Sequence, residues 1–199
     1  KAYALVPAAG SGSRVGAALP KQYLELAGRP LLYHSLLELA RHPRIEQVFV
    51  VLAQGDDQFR RHDWRELGAR VEPLYCGGKS RRDSVYNGLV AAMAAVQADD
   101  WVLVHDAARP CLPPSDLARL WEDCRNDAIG GILALPATDT VKRVGKDEAG
   151  AQRIAGTEDR TQLWLAQTPQ MFRAGLLAQA LRQAKGAVTD ESSAVEQLG

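Results

Sequence analysis

The residues with the most chemical promise lie between Leu5 and Lys21, in LVPAAGSGSRVGAALPK. A short apolar strand there runs into a glycine-rich turn that carries Arg14 and, after a proline, Lys21. Gly10 and Gly12 have no Cβ, so backbone N–H groups at the turn can approach a phosphate chain closely. Strand, bare backbone and two cations together make a cradle for a triphosphate. The chemistry they imply is that of a nucleotide-handling enzyme; a structural turn with incidental charges is the competing reading.

Two better-known glycine motifs do not fit. A dinucleotide fingerprint needs G-x-G-x-x-G opening a helix. Here the glycines fall at Gly10, Gly12 and Gly16, one residue late, with Val15 where the third belongs. Pro20 would also cut short the helix that follows such a loop. A P-loop needs G-x-x-x-x-G-K-[ST]; Gly78-Lys79-Ser80 supplies its end, but Pro73 stands in place of the first glycine.

The elements that would position this loop alternate along the chain. Strands are expected at Ala2–Ala8, Val48–Ala53, Ala69–Tyr75, Trp101–Val104, Gly130–Leu135 and Gln162–Phe172. Helices are expected at Pro30–Arg41, Asp56–Leu67, from Ser80 or Arg81 onward, from an N-cap at Ser115 through Cys124, at Ala174–Lys185 and at Thr189–Leu198. In the third of these, Val85, Leu89, Met93 and Val96 recur at helical spacing. Near-continuous apolar strands flanked by helices imply an α/β fold, a Rossmann-like, mostly parallel sheet covered on both faces. Such sheets bind ligands beyond the carboxyl ends of their strands. The cradle, the Cys76–Arg82 loop and the HDAARP segment all sit at such ends, so one site can draw on all three.

The segment Ala137–Thr161 has a different texture, polar and turn-rich. Thr140–Val144 and Gln152–Ala155 can pair as a hairpin around GKDEAG. A polar hairpin with so little apolar surface is poorly stable alone. It reads either as a surface loop or as an arm that pairs with a second copy of the chain. No internal repeat or low-complexity linker divides the 199 residues, which suit one domain, 1–199, with 137–161 as its arm.

Composition excludes other classes. Lys plus Arg and Asp plus Glu number 24 each, so bulk charge draws neither nucleic acid nor a membrane surface. Cys76, Cys111 and Cys124 are odd in number and lack C-x-x-C spacing, against a disulfide framework or a zinc site. No apolar run reaches the roughly 18 residues of a membrane span, and no signal peptide shows. A reduced, cytoplasmic protein is expected, with both ends of the sequence reading as trimmed.

Seven segments occur in an order that carries a resemblance: PAAGSGSR (Pro7–Arg14) with PKQY (Pro20–Tyr23), GGKSRRDSV (Gly77–Val85), VHDAARP (Val104–Pro110), DTVKR (Asp139–Arg143), LAQTPQMF (Leu165–Phe172) and TDESSAVE (Thr189–Glu196). Together they closely resemble the 2-C-methyl-D-erythritol 4-phosphate cytidylyltransferase family of the non-mevalonate isoprenoid pathway, over essentially the whole chain. The first segment alone marks only the wider nucleotidyltransferases; HDAARP, TPQ and TDE are more specific. The resemblance implies a homodimer with a Rossmann-like core and an exchanged arm, using CTP with Mg²⁺ and releasing pyrophosphate. It also implies a further strand, a lysine near the phosphates and a closing helix after the last helix seen here.

The chemistry can be rebuilt from the residues. A phosphate monoester oxygen attacking the α-phosphorus of CTP has a second pKa of about 6, so it is already largely dianionic at neutral pH. It needs no general base, and His34, His42, His62 and His105 show no catalytic pairing in sequence. The reaction needs in-line positioning and cations to gather two polyanions. Arg14 and Lys21 suit that role, and the resemblance makes them the catalytic pair.

By the same resemblance, Pro7, Ala8, Ala9 and Gly10 line the CTP site, with Gly12 beside the phosphates. Gly78, Arg81 and Ser84 border cytosine and ribose, although Arg81 by itself could be a solvated helix end. Asp106, Ala107 and Arg109 close the site, with Asp106 placed to bind hydroxyls. Thr140 and Arg160 become ligands for the substrate phosphate in a partner's site, and Thr168 and Thr189 complete the substrate pocket. No protein ligand to the metal is assigned; the CTP phosphates would largely hold the Mg²⁺.

Other functions compete. A ribitol 5-phosphate cytidylyltransferase shares most CTP motifs and would differ in the arm and TPQ regions. A pyridine-nucleotide oxidoreductase would need an acidic residue about 20 positions past the glycine turn, where only Glu25 and Glu38 stand, neither ending a strand. His105-Asp106 could begin a metal-dependent phosphohydrolase site, but no histidine-rich set accompanies it. An idle nucleotide-binding scaffold would have no use for Arg14, Lys21, Asp106 and Arg109 together.

Overall fold

The computed structural model describes residues 1–10 and 19–199. Gly12 and Arg14 lie outside the described residues. In chain order the regular elements are β1 (Ala2–Pro7), β2 (Glu25–Leu26), β3 (Arg29–Pro30), α1 (Leu31–Arg41), β4 (Ile45–Val51), β5 (Val71–Leu74) and α2 (Arg81–Ala92). There follow β6 (Trp101–Val104), α3 (Pro114–Cys124), β7 (Gly130–Pro136), β8 (Lys142–Lys146), β9 (Gln152–Thr157), β10 (Trp164–Arg173), α4 (Ala174–Gln183) and α5 (Glu191–Val195). Six strands form one sheet in the order β5-β4-β1-β6-β10-β7.

Strand chemistry explains the two layers. Along β1, Ala2, Ala4 and Val6 face a core that includes Leu32, Leu36 and Leu39 of α1 and Leu117 of α3. Tyr3 and Leu5 face the other core, with Val85 and Leu89 of α2 and Leu177 and Leu181 of α4. The period of two sends alternate side chains to opposite faces, so both faces must be apolar and both are covered.

Strand β10 runs antiparallel to both β6 and β7, so the sheet is mixed rather than wholly parallel. The chain leaves β7, makes the β8–β9 hairpin and returns directly beside β7. An antiparallel return needs no crossover helix. Apolar strand composition does not reveal direction.

Three helix expectations are corrected. Asp56–Leu67 is not a helix but two short 3₁₀ turns, Phe59–Arg61 and Arg65–Arg70. The Asp56 carboxylate accepts the N–H groups of Gln58 (2.9 Å) and Phe59 (3.0 Å), and Asp63 accepts that of Arg65 (3.0 Å). These local bonds offer the backbone an alternative to the helix. The aromatic stack of Phe59 on Trp64, centroids 4.4 Å apart, holds the compact result. Helix α3 is entered through Pro113 and Pro114 rather than capped by Ser115; proline suits the first helical position because its missing N–H would be unpaired there. Helix α2 ends at Ala92, which leaves Met93 exposed, while Val96 is buried from the turn beyond.

The hairpin lies at Lys142–Lys146 and Gln152–Thr157, starting two residues later than expected and reaching two further. Asp147 accepts the N–H groups of Ala149 (3.1 Å) and Ala151 (2.9 Å), which sets the turn. The apolar residues here do not bury: Val144 pairs with Ile154 across the hairpin, and they are 57% and 69% exposed. Leu135, Trp164 and Leu165, where β7 and β10 lead into the hairpin, are exposed as well.

Candidate functional site

Four parallel strands end on one side of the sheet, and backbone bonds knit those ends together. Ala8 N–H reaches the Val51 carbonyl (2.8 Å), Leu52 that of Leu74 (2.8 Å), Gly77 that of Leu52 (2.8 Å) and His105 that of Leu5 (3.0 Å). The three loops singled out in the sequence therefore begin side by side.

The first loop leaves β1 through Pro7, Ala8, Ala9 and Gly10, with Ala8 buried, Pro7 and Ala9 half-buried and Gly10 exposed. The second, at Gly77 and Gly78, packs tightly against its surroundings. A Cβ on Gly77 would lie 2.3 Å from that of Ala9, and one on Gly78 would lie 2.4 Å from that of Asp83. Only glycine lets the two loops meet and the second fold back onto the start of α2. Ser80 caps α2, accepting from Asp83 N–H at 3.1 Å. Ser84 is buried; its hydroxyl accepts from Gly78 N–H (3.0 Å) and donates to the Ser80 carbonyl (2.9 Å). In this geometry it shapes the glycine loop.

The third loop follows β6. Arg81, on the first turn of α2, bridges two carboxylates: Nη2 lies 3.0 Å from Asp106, and Nη1 pairs with Glu191 of α5. Arg109 closes on Asp106 from the other side at 2.9 Å and also donates to the Gln167 side chain. Burial pushes the Asp106 carboxyl up, but Arg81 and Arg109 outweigh it and hold it below the ordinary range. Glu191 goes the other way: it is 1% exposed, burial raises it against the pull of Arg81, and its Oε2 has no hydrogen-bond partner.

His105 clamps this loop. Its Nε2 lies 3.0 Å from the Arg109 carbonyl, which can only accept, so Nε2 carries the proton. Nδ1 then accepts the Thr168 hydroxyl (3.0 Å), and Thr168 Oγ1 in turn accepts Asp106 N–H (3.2 Å). Burial holds His105 below the usual imidazole range, consistent with a neutral ring between these partners. Ala107 is buried, and its carbonyl accepts from Ser35 of α1 at 3.1 Å. Beside the loop, a cavity of about 400 Å³ is lined by His105, Arg109, Cys111, Arg119, Gln167 and Thr168.

Lys21 is exposed on a 3₁₀ turn, Lys21–Tyr23, that follows the cradle. Thr189 is exposed just before α5, next to Asp190, whose carboxylate accepts from Gln170 of β10 at 2.8 Å. Thr140 and Arg160 are exposed at the base of the hairpin, where Arg160 donates to the Thr138 carbonyl. Among the described residues, no hydrogen bond or ion pair joins Thr140 or Arg160 to the Asp106–Arg109 cluster of the same chain.

Sequence reasoning missed three participants. Gln22 is buried and donates to the carbonyls of Ala8 and Gly10; an uncharged side chain beside Lys21 gave no signal beyond its place in PKQY. Glu191 stood in the TDESSAVE segment, but only its burial against Arg81 reveals a role. Gln167 flanks TPQ and is identified only by its contact with Arg109. As for a metal, no group of three or more His, Cys, Asp or Glu among the described residues could hold one. The acidic side chains at the site, Asp106 and Glu191, are already paired with arginine.

Comparison with known proteins accords with this geometry. A family model described as 2-C-methyl-D-erythritol 4-phosphate cytidylyltransferase matches residues 2–199. A protein of that name from Dechloromonas aromatica is 54% identical over 197 residues, 99% of this chain and 84% of its own. One from Laribacter hongkongensis is 59% identical over 197 residues, covering 98% and 83%. The crystal structure of a 4-diphosphocytidyl-2C-methyl-D-erythritol synthase superposes with a TM-score of 0.83 at 40% identity, covering 100% of this chain and 84% of that one. The Francisella tularensis cytidylyltransferase structure gives 0.78 at 35% identity, covering 100% and 86%.

Proposed function

The chain belongs to the 2-C-methyl-D-erythritol 4-phosphate cytidylyltransferase family, and from that premise we propose how its sheet-end cleft transfers CMP from CTP to the phosphate of 2-C-methyl-D-erythritol 4-phosphate, releasing pyrophosphate. The observation that carries the reading is the meeting of three loops beyond the parallel strands, with the Arg81–Asp106–Arg109 cluster on the third. The nucleotide lies along the first two loops. Backbone at Pro7–Gly10 and Gly78 approaches it where a Cβ at Gly77 or Gly78 would obstruct the fold. Arg14 and Lys21 supply the cations that gather the two anions and stabilise the charge that grows on the α-phosphate.

The substrate phosphate is its own nucleophile, largely dianionic above its second pKa of about 6. Asp106, held ionised by two arginines, is a hydroxyl acceptor and not a proton shuttle. Arg109 and Thr168 stand at the cavity beside it, which gives a small polyol chain its place. Mg²⁺ would be held largely by the CTP phosphates. Bound there, it would neutralise phosphate charge.

The hairpin is the arm of a homodimer. Exposed Val144, Ile154, Leu135, Trp164 and Leu165 form apolar surface that a second copy would cover. Thr140 and Arg160 then serve the partner's substrate phosphate rather than their own cleft. No helix among the described residues is long and apolar enough to cross a membrane, and all three cysteines are free, which suits a cytoplasmic enzyme.

The test is pyrophosphate release by the purified full-length protein given CTP and Mg²⁺. Methylerythritol phosphate should support turnover and ribitol 5-phosphate should not. Turnover with ribitol 5-phosphate alone would move the enzyme to another polyol, and no release with either would sink the transferase reading.

A further inference from the structure

The cradle that opens at Gly10 is stapled to the turn that carries Lys21, and Gln22 is the staple. The side chain is 3% exposed, and its amide nitrogen donates to Ala8 O at 2.7 Å and Gly10 O at 3.1 Å. Both protons of one NH₂ group are thus spent on two carbonyls at the exit of β1. Gln22 is also the residue after Lys21, so the bonds tie the backbone of Lys21 to the start of the phosphate loop.

A second clasp fixes the far side of the same turn. Tyr23 is 2% exposed and donates its hydroxyl to Asp56 Oδ2 at 2.8 Å. The other Asp56 oxygen accepts the N–H groups of Gln58 and Phe59, and the Tyr23 ring stacks on His62 with centroids 5.6 Å apart. The turn is therefore held between the strand exit and the 3₁₀ segment that replaced the expected helix. The packing of that segment on Tyr23 gives it a reason to be built this way.

We propose that Gln22, backed by the Tyr23–Asp56 clasp, is a positioning residue that sets Lys21 against the phosphate loop. The inference rests on the cytidylyltransferase reading of this cleft. A lysine on an exposed turn is flexible, and electrostatic stabilisation requires the charge to be in place before the reaction begins. Without the staple the Lys21 turn keeps its chemistry but loses its register to Ala8 and Gly10. A misplacement of about 1 Å costs on the order of 10²-fold in rate.

A double-mutant cycle distinguishes positioning from general support. Gln22→Met keeps length and removes both donors; Lys21→Ala removes the cation. CTP dissociation constants, measured by calorimetry with Mg²⁺, and turnover are compared for both singles and the double, with circular dichroism melts alongside. If Gln22 acts through Lys21, Gln22→Met lowers turnover by about 10²-fold in the parent. In the Lys21→Ala background it changes turnover by no more than about twofold, the scatter of such cycles. Equal losses in both backgrounds would overturn the proposal. Should Gln22→Met fail to fold, Tyr23→Phe replaces it in the same cycle, and an additive result there would overturn the clasp. CTP binding by the parent protein separates the two levels of the argument. No binding would remove the transferase reading and this inference with it; binding with additive losses would remove this inference alone.

Discussion

Removing Arg81 exposes what its two carboxylates cost. In Arg81→Met, Asp106 keeps Arg109, but Glu191 is left 1% exposed with no cation beside it. A carboxylate so placed takes up a proton rather than stay charged. In the unfolded chain a glutamate titrates near 4.3, so neutralising it in the fold costs up to about 1.36 kcal/mol for each pH unit above that value. The ceiling is about 1.6 kcal/mol at pH 5.5 and about 4.4 kcal/mol at pH 7.5. It is a ceiling because burial already raises Glu191 in the parent protein. The sign follows from linkage. A carboxyl raised in the fold binds more protons there than in the unfolded chain, so stability is full at low pH and declines as pH rises. Urea denaturation of parent and Arg81→Met at pH 5.5 and 7.5 should show a penalty that grows by up to about 2.7 kcal/mol between them. Adding Glu191→Gln to Arg81→Met should remove most of the growth. A penalty independent of pH, or one the second substitution leaves intact, would refute the reasoning.

His105→Phe removes the acceptor of the Thr168 hydroxyl proton and the donor to the Arg109 carbonyl, and should cost about 2–3 kcal/mol at pH 8. Because the ring is depressed by burial, its stabilisation is present above about pH 6.5 and lost as pH falls below it, so urea midpoints should converge towards pH 5.5; parallel curves would contradict the neutral clamp. Gly78→Ala places a Cβ 2.4 Å from that of Asp83 and 2.9 Å from the Asp83 carbonyl carbon. Pushing the loop off α2 should cost about 1–3 kcal/mol and weaken CTP binding, so an unchanged melt and titration would count against the packing argument. Ile154→Lys on the hairpin forfeits burial worth about 1.5–3 kcal/mol per copy, which should weaken a dimer by roughly 10²- to 10⁴-fold in sedimentation velocity; a parent protein that sediments as a monomer would remove the arm from the account.

The fold was legible where periodicity is strong. Near-continuous apolar runs in β1, β4 and β6, and the stripe Leu32, Leu36, Leu39 in α1, mark elements whose burial permits one arrangement. It was less legible where local polar bonds compete, as at Asp56–Leu67, where two aspartate turns and an aromatic stack displace the helix. The direction of β10 was not legible at all, because pairing partners are a tertiary fact. The site divides in the same way. Gly10, Gly12, Arg14 and Lys21 could be read as chemistry directly, whereas Gly78, Asp106 and Arg109 were reached through the family resemblance. Gln22 and Glu191 declare themselves only through what they touch, two carbonyls and one guanidinium, across separations of up to 110 residues.

The central claim is attack by the substrate phosphate on the α-phosphorus of CTP. Methylerythritol phosphate carrying ¹⁸O in its phosphate group tests it most directly, with products resolved by ³¹P NMR. The account requires every labelled oxygen in the cytidine diphosphate product, one of them bridging the two phosphorus atoms, and none in the released pyrophosphate. Label in pyrophosphate, or an unlabelled bridge, would contradict it.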